Sequence, residues 1–196
     1  MRKIFMALTV ALTLMVGNLS EAADITREQS DKIIRDFQKT EYASTLKIDA
    51  ETFMTRFNWF IVPIVQDALD KDDISEIEHL FVIEDCETLQ SDSGNIYSKI
   101  FGYRGAMVVC VSSGDDEHAL LKSVNFCYAT PENQNESLYT VWLLKAFVGS
   151  ISTDIDVQNL MNELTAEGSS GSVIKGDVKF SVKEDAELNI LTVDAK

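Results

Sequence analysis

The run from Met107 to Val111 constrains the fold most, because its five apolar residues lie between Gly105 and a polar loop. A short β-branched run bounded by turn residues is typical of a strand that is buried on both faces. In the segment that ends at Tyr128, apolar and polar residues alternate, which predicts a half-buried partner strand. Gly114 lies between the two segments and permits a turn. The two segments are therefore predicted to form a β-hairpin.

Four more strands are predicted on either side of this hairpin. Residues 80–83 and 95–101 precede it and would complete an antiparallel meander of about four strands. Near the end of the chain, residues 178–182 alternate, and a short acidic turn leads into the apolar run 188–193. This second hairpin is too small to be stable alone, so we expect it to join an edge of the sheet or to cover its open end. The connection before it, residues 167–172, is expected to be flexible.

Three helices are predicted to cover this sheet. Asp49 is the expected N-cap of a helix whose apolar residues recur every three to four positions and form one wide face. Ser137 is the expected N-cap of a second helix that is apolar nearly all round, and Thr153 with Asp156 opens a third, amphipathic helix. The sequence therefore predicts an α+β protein, in which an antiparallel sheet of about four to six strands packs against two to four helices in a single domain.

The N-terminal part of the chain has the pattern of a secretory signal peptide. Residues 1–22 contain a basic start, a charge-free run of 13 residues and small residues before Ala22, in that order. The charge-free run falls short of the roughly 20 residues that span a bilayer, so cleavage after Ala22 is favoured over a retained N-terminal anchor helix. Residues 23–48 would then form a weak, loosely docked helix and a linker, and residues 49–196 the α+β domain. We expect export to the periplasm, the cell envelope or the extracellular space, with no membrane span left after signal removal.

The charge of the chain restricts the partners that it can bind. The formal net charge is -15, and removal of residues 1–22 leaves 15 basic and 31 acidic residues, a net charge of -16. Such a field repels the phosphates of nucleic acids and anionic lipid surfaces. We therefore expect no nucleic-acid binding, and we expect a cationic protein or peptide if the charge selects a partner at all. Simple solubility outside the cytoplasm is the favoured explanation of the charge.

Two acidic segments and one tryptophan form the candidate partner-binding surface. Trp59 falls off the main apolar stripe of its helix, so it either packs sideways under the linker, which we favour, or stays exposed as an anchor. The acids between Asp67 and Glu78 do not match a calcium loop, because the central Gly is missing and the ligand spacing fits only in part. We therefore predict no metal site. The residues of the predicted binding surface are Trp59, Asp70, Asp72, Asp73, Asp115, Asp116 and Glu117.

The three cysteines are predicted to carry no disulfide within the chain. With a turn at Gly114, Cys110 would pair near Leu120 and Cys127 near Tyr103, which places the two sulfurs about 23 Å apart along the strands at 3.3 Å per residue. A disulfide requires Cα atoms within about 7 Å. Cys86 lies two strands from Cys110, so it is no better placed. Buried free cysteines are the favoured interpretation.

No catalytic or cofactor motif is present in the sequence. A cysteine nucleophile needs a nearby histidine, and His79 and His118 are both expected far from the cysteines. Zinc would need three or four converging Cys or His ligands, which the spacing does not supply. We therefore expect an exported, non-enzymatic binding module of the small α+β type found in bacteria, with no cofactor. The alternative is an acid-base hydrolase of cell-envelope or peptide material, which would need a cleft with two acids whose pKa values differ strongly.

Overall fold

One antiparallel sheet runs through the structure, a computed structural model that describes residues 24–68, 78–91, 94–116, 118–166 and 171–196. Its strands are β1 (Glu87–Leu89), β2 (Ile96–Ile100), β3 (Ala106–Ser112), β4 (Leu121–Ala129), β5 (Ser172–Lys175), β6 (Val178–Asp185) and β7 (Leu188–Ala195). Neighbouring strands follow the order β1-β2-β3-β4-β7-β6-β5. The described residues thus contain seven strands, slightly more than the four to six predicted.

Four helices of the described chain pack against this sheet: α1 (Arg27–Lys39), α2 (Ala50–Ala68), α3 (Gln134–Ile151) and α4 (Val157–Ala166). Helices α2, α3 and α4 share one core with the face that carries Val108 and Cys110 of β3. Helix α1 lies on the opposite face, where Ile33 and Phe37 pack with Met107. The predicted α+β class, with helices packed on an antiparallel sheet in a single domain, is confirmed.

Strands β3 and β4 form the centre of the sheet. All seven residues of β3 are buried, as its apolar run predicts. Strand β4 was expected to be half-buried, but Ser123 and Asn125 on its polar face are also fully buried. The prediction fails because the core under α1, with Tyr42 packed against it, covers that face as well.

The register of the central hairpin differs from the predicted one. Cys110 pairs with Val124, whereas a turn at Gly114 would have placed it near Leu120. The Asn95 N–H donates a hydrogen bond to the Gly114 carbonyl oxygen at 3.0 Å. The last bond between the two strands of the hairpin joins the Ser113 N–H to the Leu120 carbonyl oxygen at 2.9 Å. The midpoint of the turn therefore lies about two residues further along the chain than the pairing of Cys110 with Leu120 would place it.

All three cysteines are nevertheless free, as predicted. Cys110 belongs to the core under α2 and α3, while Cys127 belongs to the core under α1, so the sheet itself separates the two sulfurs. Cys86 immediately precedes β1, which is two strands from β3. Opposite faces of the sheet prevent a disulfide between Cys110 and Cys127. Cys86 and Cys110 belong to the same core, and strand β2 lies between the strands that carry or follow them.

The last hairpin is integrated into the sheet. Strand β7 pairs with β4 along its whole length, and β6 pairs with β7, so the prediction that this hairpin joins the central sheet is confirmed. Strand β5 was not predicted, because its first residue lies in the expected flexible connection. It pairs with β6 and forms the outer edge of the sheet.

The strand predicted over residues 80–83 is wrong. A 3₁₀ turn spans Glu78–Leu80, and the following residues are irregular. The Asn58 side chain on α2 donates to the Ile83 carbonyl oxygen and accepts from the Ile83 N–H, both at 2.8 Å. The Asn58 side chain thus makes the hydrogen bonds that a neighbouring strand would otherwise make with Ile83. The apolar side chains of Phe81 and Ile83 are buried although their backbone is not part of the sheet.

The helix caps were predicted with mixed success. Asp49 Oδ1 accepts from the Thr52 N–H at 2.7 Å, as predicted for α2. Ser137 does not cap α3, since that helix begins earlier and Asn133 is its N-cap. Asp156 Oδ1 accepts from the Asn159 N–H at the start of α4.

Helix α1 is better ordered than its sequence indicates. A reciprocal capping box joins Thr26 and Gln29 at its start, and Ile33, Ile34 and Phe37 are buried against the sheet. The helix therefore packs closely instead of docking loosely, because its narrow apolar stripe meets a complementary apolar face.

Candidate functional site

The structure describes three residues of the predicted binding surface. Asp70, Asp72, Asp73 and Glu117 lie outside the described residues. Trp59, Asp115 and Asp116 are all exposed.

Trp59 is an exposed aromatic side chain on a helix whose opposite side is buried. It is 70% exposed, so the favoured expectation that it packs under the linker is wrong. Helix α2 turns its fully buried Phe57 toward the core, and Trp59 follows two residues later, about 200° around the helix at 3.6 residues per turn. The Trp59 ring makes an edge contact with Phe60, with 4.9 Å between the ring centroids, and Pro63 one turn further is also exposed.

The two described acids lie at the tip of the central hairpin. The Asp115 carbonyl oxygen accepts from Asn95 Nδ2, and Asp116 Oδ1 accepts from the His118 N–H at 2.7 Å. This tip lies near the start of α2: the pKa of Asp49 is lowered by hydrogen bonds from Thr52 and, more weakly, by the charge of His118.

The described acids and Trp59 do not form one continuous patch. Trp59 lies ten residues after Asp49 along α2, which corresponds to about 15 Å of helix at 1.5 Å per residue. The predicted binding surface therefore divides into an aromatic part around Trp59 and an acidic part at the hairpin tip.

A second candidate site is a polar cluster on the face of the sheet that carries α1. Ser123 and Asn125 on β4 pair with Asp194 and Thr192 on β7, respectively, so the four side chains share one face. Sequence reasoning missed this cluster, because the alternation in β4 placed Ser123 and Asn125 in solvent. The signal that could have revealed it is that every polar residue on that face of β4 is small and uncharged.

Most polar atoms of this cluster are hydrogen-bonded. Asn125 Nδ2 donates to the Val109 carbonyl oxygen at 3.2 Å and to Ser123 Oγ at 3.1 Å. Thr192 Oγ1 donates to Asn125 Oδ1 at 2.8 Å. These bonds hold the centre of the cluster rigidly between β3, β4 and β7.

Among the residues that the structure describes, two buried oxygens of the cluster make no hydrogen bond of normal geometry: Tyr42 Oη and Asp194 Oδ1. Burial raises the pKa of the Asp194 carboxyl, and Ser123 and Lys179 lower it only in part. Burial also raises the pKa of the Tyr42 phenol to about 12, and the charge of Asp194 adds to this shift, while hydrogen bonding with Ser123 and Thr40 opposes it. Ser123 therefore lies close to both oxygens, and the three side chains form one group, which we term the Tyr42–Ser123–Asp194 cluster.

A surface groove begins beside this cluster. Its volume is about 400 Å³, and Tyr42 and Val111 belong to its wall. Val111 pairs with Ser123 across the sheet, so the floor of the groove adjoins the cluster. The remaining wall consists of the end of α1 with the residues after it, one residue of β2 and one of β4: Phe37, Gln38, Lys39, Thr40, Glu41, Ile96 and Lys122.

The chemistry that these groups can support is limited. No second carboxylate is among the groups that shift the pKa of Asp194, whereas an acid-base hydrolase would need two acids. Burial raises the pKa of the Cys86 thiol to about 11 and those of Cys110 and Cys127 further, which disfavours the nucleophilic thiolate. Among the residues that the structure describes, no three His, Cys, Asp or Glu side chains are grouped to hold a metal ion.

Comparison of the chain with models of protein families, with curated protein sequences and with solved structures finds no match. Its function must therefore be inferred from its own residues. In the described part of the chain, no helix has both the length and the apolar character that a membrane span requires.

Proposed function

We propose that the protein is an exported, non-enzymatic binding module of bacterial type, and that it binds a cationic protein or peptide segment at the surface around Trp59. The observation that carries this proposal is the exposure of Trp59, which is 70% accessible. Tryptophan is strongly enriched among the residues that dominate binding energy at protein interfaces. The Trp59 ring lies beside exposed Pro63 and half-buried Phe60. A partner that binds there would remove this apolar surface from water, which favours binding.

The charge of the chain supports a cationic partner. A net charge of -16 after signal removal would attract basic segments over long range and raise their association rate. Exposed Glu51 and Asp67 lie on the same helix, each about 12 Å along the axis from Trp59 at 1.5 Å per residue, and exposed Arg56 lies one turn before it. The attraction therefore comes from the net charge of the protein and not from acids beside the ring. Because exposed charges are screened within about 8 Å at physiological ionic strength, such binding would weaken as salt is added.

Export rests on the signal pattern in residues 1–22. The first described residues are already anchored: the Ile25 N–H donates to the Arg104 carbonyl oxygen at 2.9 Å, and Asp24 forms an ion pair with Arg104 at 3.2 Å. Cleavage after Ala22 would leave both contacts in place. Intact mass of the protein recovered from the envelope or the medium tests this proposal, and a mass that retains residues 1–22 contradicts it.

A pull-down from native envelope extract at low and high salt tests the binding proposal. The wild type should retain a basic partner at low salt and lose it at high salt. Trp59→Ala should lose most of that partner, whereas Leu89→Ala, which trims an exposed apolar side chain on β1 (43% exposed), should retain it. Retention by both variants would contradict the role of Trp59, and a partner that resists high salt would contradict the electrostatic part.

Among the described residues, Asp194 is the one that supports the alternative of an acid-base hydrolase. Its raised pKa, beside Tyr42 and near a groove, is the environment that a general acid requires. A screen against cell-wall fragments and peptides tests this alternative: turnover that disappears in Asp194→Asn would favour the hydrolase over the binding module.

A further inference from the structure

We propose that the Tyr42–Ser123–Asp194 cluster is a binding site for a primary ammonium group carried on an unbranched hydrocarbon stem. The inference goes beyond the proposed function, because it concerns the face of the sheet under α1 and does not depend on the surface around Trp59. It rests on three features: the convergence of oxygen atoms, a carboxylate without an ion-pair partner, and the groove beside them.

The oxygen atoms match the donors of an ammonium group. Tyr42 Oη and Asp194 Oδ1 are buried and make no hydrogen bond of normal geometry with a described residue, and Ser123 is close enough to interact with both side chains. An alkylammonium has three N–H donors and no acceptor, so it can bond to three such oxygens at once. A buried polar atom without a hydrogen bond destabilises the protein, and a donor ligand would remove that penalty at both oxygens.

The charge of Asp194 favours a cation over a neutral donor. Lys179 is its cross-strand neighbour on β6, but it is exposed and forms no ion pair with Asp194 among the contacts of the described residues. Lys179 therefore leaves Oδ1 open. A carboxylate oxygen covered from water gains most from a hydrogen-bonded counter-charge, and Asp194 is partly buried with Oδ1 covered. The compact ammonium suits a single open carboxylate oxygen better than the planar guanidinium, which prefers two.

The groove suits a hydrocarbon stem. Phe37, Ile96 and Val111 supply apolar wall, along which the methylene groups of an alkylamine or a lysine side chain can lie. The rim carries Lys39, Lys122 and Glu41, so selection for a cation must come from the buried carboxylate and not from the rim.

Access to the cluster depends on Tyr42. The two oxygens are fully covered, so the ammonium reaches them only when the Tyr42 side chain turns aside. Tyr42 lies in the irregular segment between α1 and α2 and is itself only half-buried, which gives its ring room to move. The ammonium group is then buried when the Tyr42 side chain turns back.

Two sources could carry this chemistry: a free alkylamine and a lysine side chain of a protein. The test follows amide chemical shifts of the isotope-labelled protein during titration with 1,5-diaminopentane, with a lysine pentapeptide and, as a neutral control, with 1-pentanol. Saturable shifts at Ser123, Thr192 and Asp194 with the diamine alone indicate a small-amine site, and the same shifts with the peptide indicate a lysine site. No shift at these residues with either amine, or equal shifts with 1-pentanol, overturns the proposal.

Variants locate the binding in the cluster. Asp194→Asn keeps the shape and removes the charge, and it should weaken binding about tenfold or more, as expected for a lost charge-assisted hydrogen bond. Tyr42→Phe removes only the hydroxyl and should weaken binding several-fold. Asp31→Asn, an exposed acid on α1 that belongs to neither candidate site, is the matched control and should bind as the wild type does. Equal affinity of Asp194→Asn and Asp31→Asn would overturn the proposal. If Asp194→Asn does not fold, unchanged binding by Tyr42→Phe overturns it instead.

Discussion

Deletion of residues 173–196 is expected to unfold the whole protein instead of removing an appendage. Five fully buried apolar side chains leave with this segment, three from the core under α2, α3 and α4 and two from the core under α1: Phe180, Leu191, Val193, Leu188 and Ile190. At roughly 1.5–3 kcal/mol each, their burial contributes about 7–15 kcal/mol. The total stability of a domain is about 5–15 kcal/mol, so the deletion removes most or all of it.

The deletion also opens the middle of the sheet. Strand β7 pairs with β4 from Ser123 to Ala129, and its loss would leave the backbone groups of the buried strand β4 without partners. An exposed, apolar sheet edge promotes association between chains. We therefore expect the truncated protein to aggregate or to remain unfolded, with exposed apolar surface.

Thermal and urea unfolding followed by circular dichroism test this prediction. Leu191→Ala provides a milder version and should lower the free energy of unfolding by about 2–5 kcal/mol. Ile174→Ala is the control, since Ile174 on the edge strand β5 is 52% exposed, and its effect should stay within about 0.5 kcal/mol. A truncated protein that melts as cooperatively as the full chain, at the same temperature, would refute the reasoning.

Three further predictions concern stability and the cysteines. The pKa of Asp194 is raised in the folded state, so this residue stabilises the fold fully below the ordinary pKa of 3.8, and the stabilisation is lost as pH rises through the folded-state pKa. The stability of Asp194→Asn relative to wild type should therefore increase from pH 4 to pH 7 in urea melts. A difference that stays constant with pH would contradict this. Asn133→Ala removes the N-cap of α3 and should cost about 1 kcal/mol, whereas Ser137→Ala should cost less. Alkylation should label all three cysteines in the denatured, unreduced protein but should spare Cys110 and Cys127 in the native one, because both are fully buried; one labelled cysteine in the denatured protein would indicate a disulfide.

The local patterns of the sequence were sufficient for the fold class. The apolar run of β3 predicts its burial, the spacing in α2 predicts its cap at Asp49, and the alternation at the end of the chain predicts β6 and β7. These features depend on residues close together in the sequence, and periodicity reports them directly.

Features that depend on distant residues were not predictable in the same way. The register of β3 and β4 depends on which residues end the pairing, and the last bond joins the Ser113 N–H to the Leu120 carbonyl oxygen. The irregular course of residues 80–83 depends on a side chain of α2, Asn58. Neither contact leaves a periodic signal in the sequence.

The candidate sites show the same limitation. Ser123 and Asn125 alternate with apolar residues and so appear to face solvent, but α1 folds over them and converts a polar face into a buried cluster. The residue spacing in α2 indicated only that Trp59 lies outside the main apolar stripe of the helix. Whether another segment covers the ring depends on the path of the linker, which its polar sequence does not specify.

The exposure of Trp59 in the bound state tests the central claim most directly. The chain has two tryptophans, and Trp142→Phe would leave Trp59 as the only one. In this variant, acrylamide should quench the emission strongly when the protein is free. When the partner captured from the envelope extract is bound, quenching should fall and the emission should shift to shorter wavelength, because the ring leaves water. A complex in which Trp59 is quenched as readily as in the free protein would contradict the account.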